Sequence, residues 1–505
     1  MRVSKSKFIA GVQCLKRLYF QVHRPEMAAG SSEATEAIME QGHQVGLVAQ
    51  KAFPGGVLVA ADHEHLDDAV RTTRELVVNA EVPAIFEATF EYGGVLVRTD
   101  VLERRSRAGY RLIEVKSATS PKPHYAYDIG IQKRVLSGAG VNLEGTRLMY
   151  LNREYVFDGQ EYDVSRLFTI DELTREQTIS DAQISSRVDQ QLRVLGQPTP
   201  PDVKSGKQCI EPVLCEFYEH CNPDLPSDHV SLLPRMRTEN VDDLLASGIM
   251  SVHQIPDDFL LTATQRRAVD AVKSGKMWIG PELTGELTTL RFPICFMDFE
   301  TIFPALPRFA GMRPYDHVPF QWSVHRQERT GAPMMRYDFL AESASDPRIP
   351  FLESLCQAVK AAGSIVVYNQ GFEASRLDDL ARWLPEHRSE IAEIKARLWD
   401  LLAVIRRNVY HPAFGGSFSL KRVAVAILPD MNYDGLGVTD GNQAGAAWGR
   451  LVDAATGAEE KTQLKRALLQ YCRQDTIALA RIVEALRGGV GLTGVPTATV
   501  KSETA

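Results

Sequence analysis

Residues 86–118 read FEATFEYGGVLVRTDVLERRSRAGYRLIEVKSA, and this stretch decides the fold of the first part of the chain. FEATFEY and VLVRTDVLERR alternate apolar and polar residues on either side of Gly93-Gly94, which predicts a β-hairpin. YRLIEVK (110–116) is a short apolar strand that runs into charge. PHYAYDIGIQKRVLSGAG (123–140) follows with helical spacing, proline at its start and glycine at its end, and LMYLN (148–152) is a further buried strand. Strands and helices so interleaved predict an α/β unit. Asp100 is placed at the end of one strand. Glu114 and Lys116, two apart on the next, point to one face. Two carboxylates and a lysine on one sheet edge suit Mg²⁺ or Mn²⁺, hard cations that take oxygen ligands and keep waters. Such an ion acidifies bound water and clamps a phosphate, and the lysine would stabilise the charge that develops. A bare D…ExK pattern also arises by chance, as a solvated strand with an ion pair.

A second acidic set lies in the C-terminal half. Asp298 and Glu300 alternate on the apolar strand ICFMDFET (294–301). FQWSVHRQER (320–329) reads as a second strand. SIVVYNQGFE (364–373) is a third, ending in Asn369 and Glu373. LLQYCRQDTIALARIVEAL (468–486) is amphipathic, so Tyr471 and Asp475 share a helix face. Before this unit, about 171–195 reads as one long polar helix and about 238–276 as short helices. The latter faintly resemble a helix-hairpin-helix element, against the plainer reading of a helical connector.

At 505 residues the chain exceeds one core and predicts two to four domains. Its 44% hydrophobic and 24% charged content is that of a globular protein, and no apolar run is long enough for a membrane helix. The N-terminus is basic but lacks a secretion signal, so a cytoplasmic protein without a membrane partner is expected. A net charge of −7 confines any phosphate binding to local patches. Of the seven cysteines, Cys209, Cys215 and Cys221 form a C-x5-C-x5-C run. Three thiolates leave a zinc ion or an iron–sulfur cluster one ligand short. Cys295, Cys356 and Cys472 sit in apolar or helical surroundings and read as ordinary buried thiols.

GVLVRTDVL and RLIEVKSA resemble the Asp and ExK strands of the RecB-like branch of the PD-(D/E)xK nucleases, the branch of AddB and the CRISPR-associated spacer-acquisition nucleases. The resemblance implies a restriction-endonuclease-like domain, with Gln132 as its helical Gln motif and Glu87 near the site. Family members often carry a histidine where this chain has Gly46. His43 is out of phase by about a turn. Cys14, in FIAGVQCLKRLYF, resembles the N-terminal cysteine of the same branch, which joins three later ones around a [4Fe–4S] cluster. The spacing departs from that branch, so Zn²⁺ stays open as an alternative. His220 reads as a bystander.

The second set resembles the DEDD exonucleases of the RNase H-like fold, with DxE, N-x-x-F-D and Y-x-x-x-D motifs in order. By that resemblance Asp298, Glu300, Glu373 and Asp475 would hold two divalent ions ~4 Å apart, and Tyr471 would orient the water. Glu373 stands where aspartate is usual. Asp400 and Ser419-Leu420-Lys421 resemble positions near the substrate groove.

Over about 1–225 and 285–490 the chain resembles a bacterial family of unknown function that fuses these two nuclease types. The expected organisation is a RecB-like domain with a Cys cluster (1–225), a helical linker (226–285), an RNase H-like 3′–5′ exonuclease domain (286–488) and a disordered tail (489–505). The expected function is hydrolysis of nucleic acid, DNA above RNA, in repair or in defence against foreign DNA. The alternative is a nucleic-acid-binding scaffold whose sites have decayed, a reading that Gly46 and Glu373 suggest. Arg2, Lys5, Lys7, Lys16, Arg17 and Arg24, with Phe8, Tyr19 and Phe20 among them, read equally as a phosphate-tracking stretch with stacking rings and as a basic solvated helix face.

Overall fold

The computed structural model describes residues 2–30, 33–60, 65–173, 178–488 and 501–502. The tail read as disordered lies outside these, apart from the backbone of Lys501–Ser502. Packing divides the mixed α/β chain into two units, one of Met1–Pro223 with Pro304–Asp316 and one of Asp224–Phe303 with His317–Ala505. Residues 304–316, assigned by sequence to the C-terminal nuclease domain, thus pack with the first unit.

The first unit is built on one sheet. Its strands are β1 (Val3–Ser4), β2 (Val57–Leu58), β3 (Ala84–Tyr92), β4 (Val95–Arg104), β5 (Gly109–Lys116), β6 (Asn142–Leu151) and β7 (Phe168–Glu172). The order is β2-β3-β4-β5-β6-β7, with β1 also beside β4. β3 and β4 form the expected hairpin. Gly93 and Gly94 both take positive φ, 59° and 77°, which only glycine adopts without steric cost. β5 continues the antiparallel run, and β6 lies parallel to β5. A parallel pair needs a crossover, and the helix Tyr125–Gly138 supplies it. That helix buries Ile131, Val135 and Leu136 in a core shared with Ile85, Val97 and Leu102, each such side chain stabilising by about 1.5–3 kcal/mol.

Three expectations are corrected here. Asp100 lies within β4, which continues to Arg104 because Val101–Arg104 pair with Tyr110–Ile113. The long helix expected from 171 begins at Asp181, where Ser180 and Gln183 make a capping box. Phe168–Glu172 is drawn instead into pairing with Arg147–Leu151. Phe8, Tyr19 and Phe20 are 0%, 6% and 5% exposed, so these rings are core and do not stack on a ligand.

Residues 304–316 fasten onto the first unit through named bonds. Gln41 accepts from the Ala305 N–H at 2.8 Å. Phe157 exchanges backbone hydrogen bonds with Met312 and Gly311 at 2.9 and 2.8 Å.

The second unit contains β8 (Trp278–Ile279), β9 (Ile294–Ile302), β10 (Val318–Gln327), β11 (Met334–Leu340), β12 (Ser364–Val367), β13 (Leu398–Asp400), β14 (Val409–Tyr410) and β15 (Lys501–Ser502). The main sheet runs β13-β12-β9-β10-β11-β15, and β8 pairs with β14. β10 is antiparallel to both β9 and β11, whereas β12 runs parallel to β9 and β13 parallel to β12. The helix Ala458–Arg487 buries Leu464, Leu468, Tyr471, Cys472, Asp475 and Leu479 at helical spacing. The stretch read as a linker forms short helices, and Val230, Leu244, Ile255 and Val269 join the unit's core. Among the described residues no helix is long and apolar enough to cross a membrane.

Two candidate metal sites and a cysteine cavity

In the first unit Asp100 and Glu114 lie one step beyond the Val101–Ile113 pair of neighbouring strands, so the pleat turns both to one face. Asp100 accepts from the Val115 N–H at 2.6 Å. Glu114 is only 1% exposed. Its oxygens receive the Lys116 ammonium at 2.9 Å, the Gln132 amide at 2.7 Å and the Lys5 ammonium at 3.0 and 3.2 Å. Lys116 also reaches Asp128 at 2.7 Å. The structure thus brings Asp100, Glu114, Lys116 and Gln132 together and adds Lys5 and Asp128. Asp128 stands four residues before Gln132 on the same helix, a spacing that puts both on one face. The Lys5 contact, across 109 residues of chain, had no signal in the sequence.

Burial pushes the Asp100 carboxyl up to about 7, helped by the neighbouring Glu114 charge. Burial would raise Glu114 too, but the Lys5 and Lys116 ammoniums outweigh it and hold its carboxyl well below the usual range. Lys116 is raised despite burial, because Glu114 and Asp128 flank it. It keeps its proton and acts as donor and fixed charge. Glu87 sits at φ 56°, a left-handed conformation that costs a non-glycine residue about 1–3 kcal/mol. It pairs with Arg98 at 3.5 Å. Burial raises its carboxyl, and the charges of Arg98, Lys5 and His43 oppose the rise.

The Asp100 shift gives a pH prediction. Its folded pKa lies above the unfolded value of 3.8. Between those two values the folded chain holds a proton that the unfolded chain has lost, so this group's contribution to stability falls as pH rises toward about 7. Asn at this position keeps an acceptor for Val115 and carries no charge. In EDTA, Asp100→Asn should melt like the parent near pH 4 and gain on the order of 2 kcal/mol over it by pH 8. Parallel melting curves across that range would refute this.

In the second unit one oxygen each of Asp298 and Glu300 and the Cys472 sulfur lie within 4.8 Å of one another. Cys472, read as an ordinary buried thiol, donates to the Asp298 carbonyl at 3.7 Å. Glu373 is 2% exposed and Asp475 6%. Oε2 of Glu373 and Oδ1 of Asp475 are buried without a hydrogen-bond partner. Burial raises Asp298, with the Asp475 charge adding to it, and raises Glu300, with Asp298 and Asp475 adding. Glu373 is raised by burial and by Asp298. Asp475 is raised to about 6 by burial, against the pull of Tyr433, Lys421 and Tyr471. Four carboxyls crowded in a buried space repel once ionised, and cations are the natural remedy.

Burial also raises the Tyr471 hydroxyl, with Glu300 and Asp475 adding, so it keeps its proton. The Lys421 ammonium stands 4.7 Å from the Tyr471 ring centre and 5.5 Å from that of Tyr433. Ser419 caps the helix Leu420–Ile427 that carries Lys421. Asp400 caps the helix Leu401–Asn408, accepting from Ala403 at 2.9 Å. Sequence reasoning missed Tyr433 and also Asp440, whose charge acts on Glu300 from the start of the helix Gly441–Val452. Beside the acids, His317 stacks on Phe303 at 5.0 Å and meets Phe372 edge-on at 6.0 Å.

Cys14, Cys209, Cys215 and Cys221 line one small cavity in the first unit. Gln13, next to Cys14, donates to the carbonyls of Gln208 and Val213 at 2.7 and 2.8 Å. Arg17 holds Glu216 at 2.9 Å. His220 packs edge-on to Phe20 at 5.1 Å.

No curated protein matches the chain. A solved structure described as "Crystal structure of SSO0001" is similar over 45% of this chain and 87% of that one, at 16% identity and a TM-score of 0.23. Residues 295–419 match a family described as "Domain of unknown function (DUF2779)", a stretch that holds Asp298, Glu300 and Glu373 and ends before Tyr471 and Asp475.

Proposed function

We propose that the protein is a metal-dependent nuclease with two sites, a PD-(D/E)xK-type site at Asp100, Glu114 and Lys116 and a DEDD-type 3′–5′ exonuclease site at Asp298, Glu300, Glu373, Tyr471 and Asp475. The observation that carries the reading is the second site, where buried carboxyls gather with two oxygens unpartnered. The sheet order supports it. A central β9 has an antiparallel pair on one side and a parallel pair on the other, as the resemblance to the RNase H-like fold implies. The β3-β4-β5, helix, β6 succession supports the restriction-endonuclease-like reading of the first unit in the same way.

The carboxylates of Asp298, Glu300, Glu373 and Asp475 would hold Mg²⁺ or Mn²⁺, which when bound polarises a phosphodiester and acidifies water. Tyr471, protonated, offers a donor that orients water or a phosphate oxygen. Lys421 beside it supplies positive charge, and Phe303, 37% exposed, offers a face for a terminal base. In the first site Lys116 is the charge donor.

The four cysteines and the absence of a histidine among them favour sulfur-only ligation of a [4Fe–4S] cluster over zinc. Cys14, Cys209, Cys215 and Cys221 line one cavity, which supports a shared set of sulfur ligands. DNA as substrate and a cytoplasmic role in repair or defence rest on the resemblance alone. A binding-only first unit is the second reading, favoured by Glu114 already carrying three donors.

End-labelled single- and double-stranded DNA and RNA, incubated with Mg²⁺ or Mn²⁺, test the proposal. Lys116→Ala should abolish one activity and spare the Asp298-dependent one. If Lys116→Ala and Asp298→Ala each abolish all cleavage on every substrate, the two-site reading fails.

A further inference from the structure

Each oxygen of Glu114 carries two donors. Oε1 takes Lys5 and Lys116, and Oε2 takes Lys5 and Gln132. A metal ion cannot join this carboxylate unless a donor leaves. Lys116 has a second anchor in Asp128, and Gln132 has one in the Asp128 carbonyl at 2.9 Å. The hydrogen bonds of the Lys5 ammonium go to Glu114 at both oxygens. It also feels Asp100, the other carboxylate of the site. Lys5 therefore occupies the place on Glu114 that a bound ion would need, at the end of a flexible stem in the first turn of the helix Lys5–Gln13.

We propose that Lys5 and a divalent cation compete for Glu114, so that Lys5 sets the metal affinity of the first site. The inference rests on the reading of Asp100 and Glu114 as metal ligands. Lys5 is a positioning residue in this scheme. Its ammonium holds Glu114 through both oxygens and attracts Asp100 by charge, and a doubly charged ion displaces it while Lys116 stays anchored.

The test uses the full chain with Asp298→Asn and Asp475→Asn, so that the first site alone is titrated. Mn²⁺ binding is read from loss of the free-ion paramagnetic resonance signal. Adding Lys5→Gln should tighten binding roughly tenfold, the effect of removing one close like charge. Lys5→Arg should leave binding near the parent value. A merely structural lysine would loosen binding when replaced, so unchanged or weaker binding in a folded Lys5→Gln chain overturns the inference. A second readout needs no change at Lys5. Mn²⁺ should increase acylation of Lys5 by a water-soluble amine reagent and leave Lys116 protected, and equal labelling with and without the ion also overturns it. Failure of both chains to bind Mn²⁺ would remove the metal reading together with the inference. Tighter binding in Lys5→Gln without cleavage of any nucleic acid would leave the inference standing and remove the nuclease reading of the first site.

Discussion

Replacing Asp298 with alanine is expected to lower the release of mononucleotides from labelled 3′ ends at least about a hundredfold, the usual effect of removing a ligand or donor that stabilises developing charge. Asp298 faces Cys472 and Glu300, and its charge acts on Glu373. Its loss therefore disturbs the acidic set at its centre. Asp475→Ala should match it. Tyr471→Phe keeps every carboxylate and removes only a donor, so a loss within about tenfold is expected. Glu373→Asp shortens a side chain whose Oε2 has no partner, and should alter the Mg²⁺/Mn²⁺ preference. Wild-type rates in Asp298→Ala would make the second unit a binding module.

The second large effect concerns the cysteine cavity. Cys14 is the last cap of the helix Lys5–Gln13 and the first of Leu15–His23, so one thiol at a helix junction faces three from the chain some two hundred residues on. Cys14→Ala should take iron from about four atoms per chain to near none, with loss of the broad absorbance near about 400 nm. The melting temperature of the first unit should fall by at least about 5 °C, because cluster binding energy is also folding energy. Anaerobically purified, colourless protein with stoichiometric zinc would sink the iron–sulfur assignment.

Local pattern carried the strands that bear both acidic sets. Asp100, Glu114 and Lys116 were legible because a strand has period two, and Tyr471 and Asp475 because a helix returns after four residues. What depended on distant pairing was not legible. Lys5 reaches Glu114 only because β1 and its helix are laid beside β4, and nothing near Lys5 in the sequence encodes that. Phe8, Tyr19 and Phe20 looked available for stacking because a basic face says nothing about which side turns inward. Asp171 and Glu172 were read as the start of a helix because polar residues suit one, and a partner strand overruled that propensity. Cys472 was passed over because a thiol in an apolar helix carries no sign of the carboxylate opposite it.

The loop of residues 304–316 has a consequence for how the protein is made. Synthesis delivers residue 223 long before residue 316, yet the first unit draws Ala305, Gly311 and Met312 into its own hydrogen bonding. Roughly ninety further residues must leave the ribosome before that unit has all its parts, on the order of ten seconds at ordinary translation rates. A nascent chain paused between these points would expose the surface around Phe157 and Gln41 to chaperones. A gene cut after codon 223 would encode a first unit lacking a piece of its own wall.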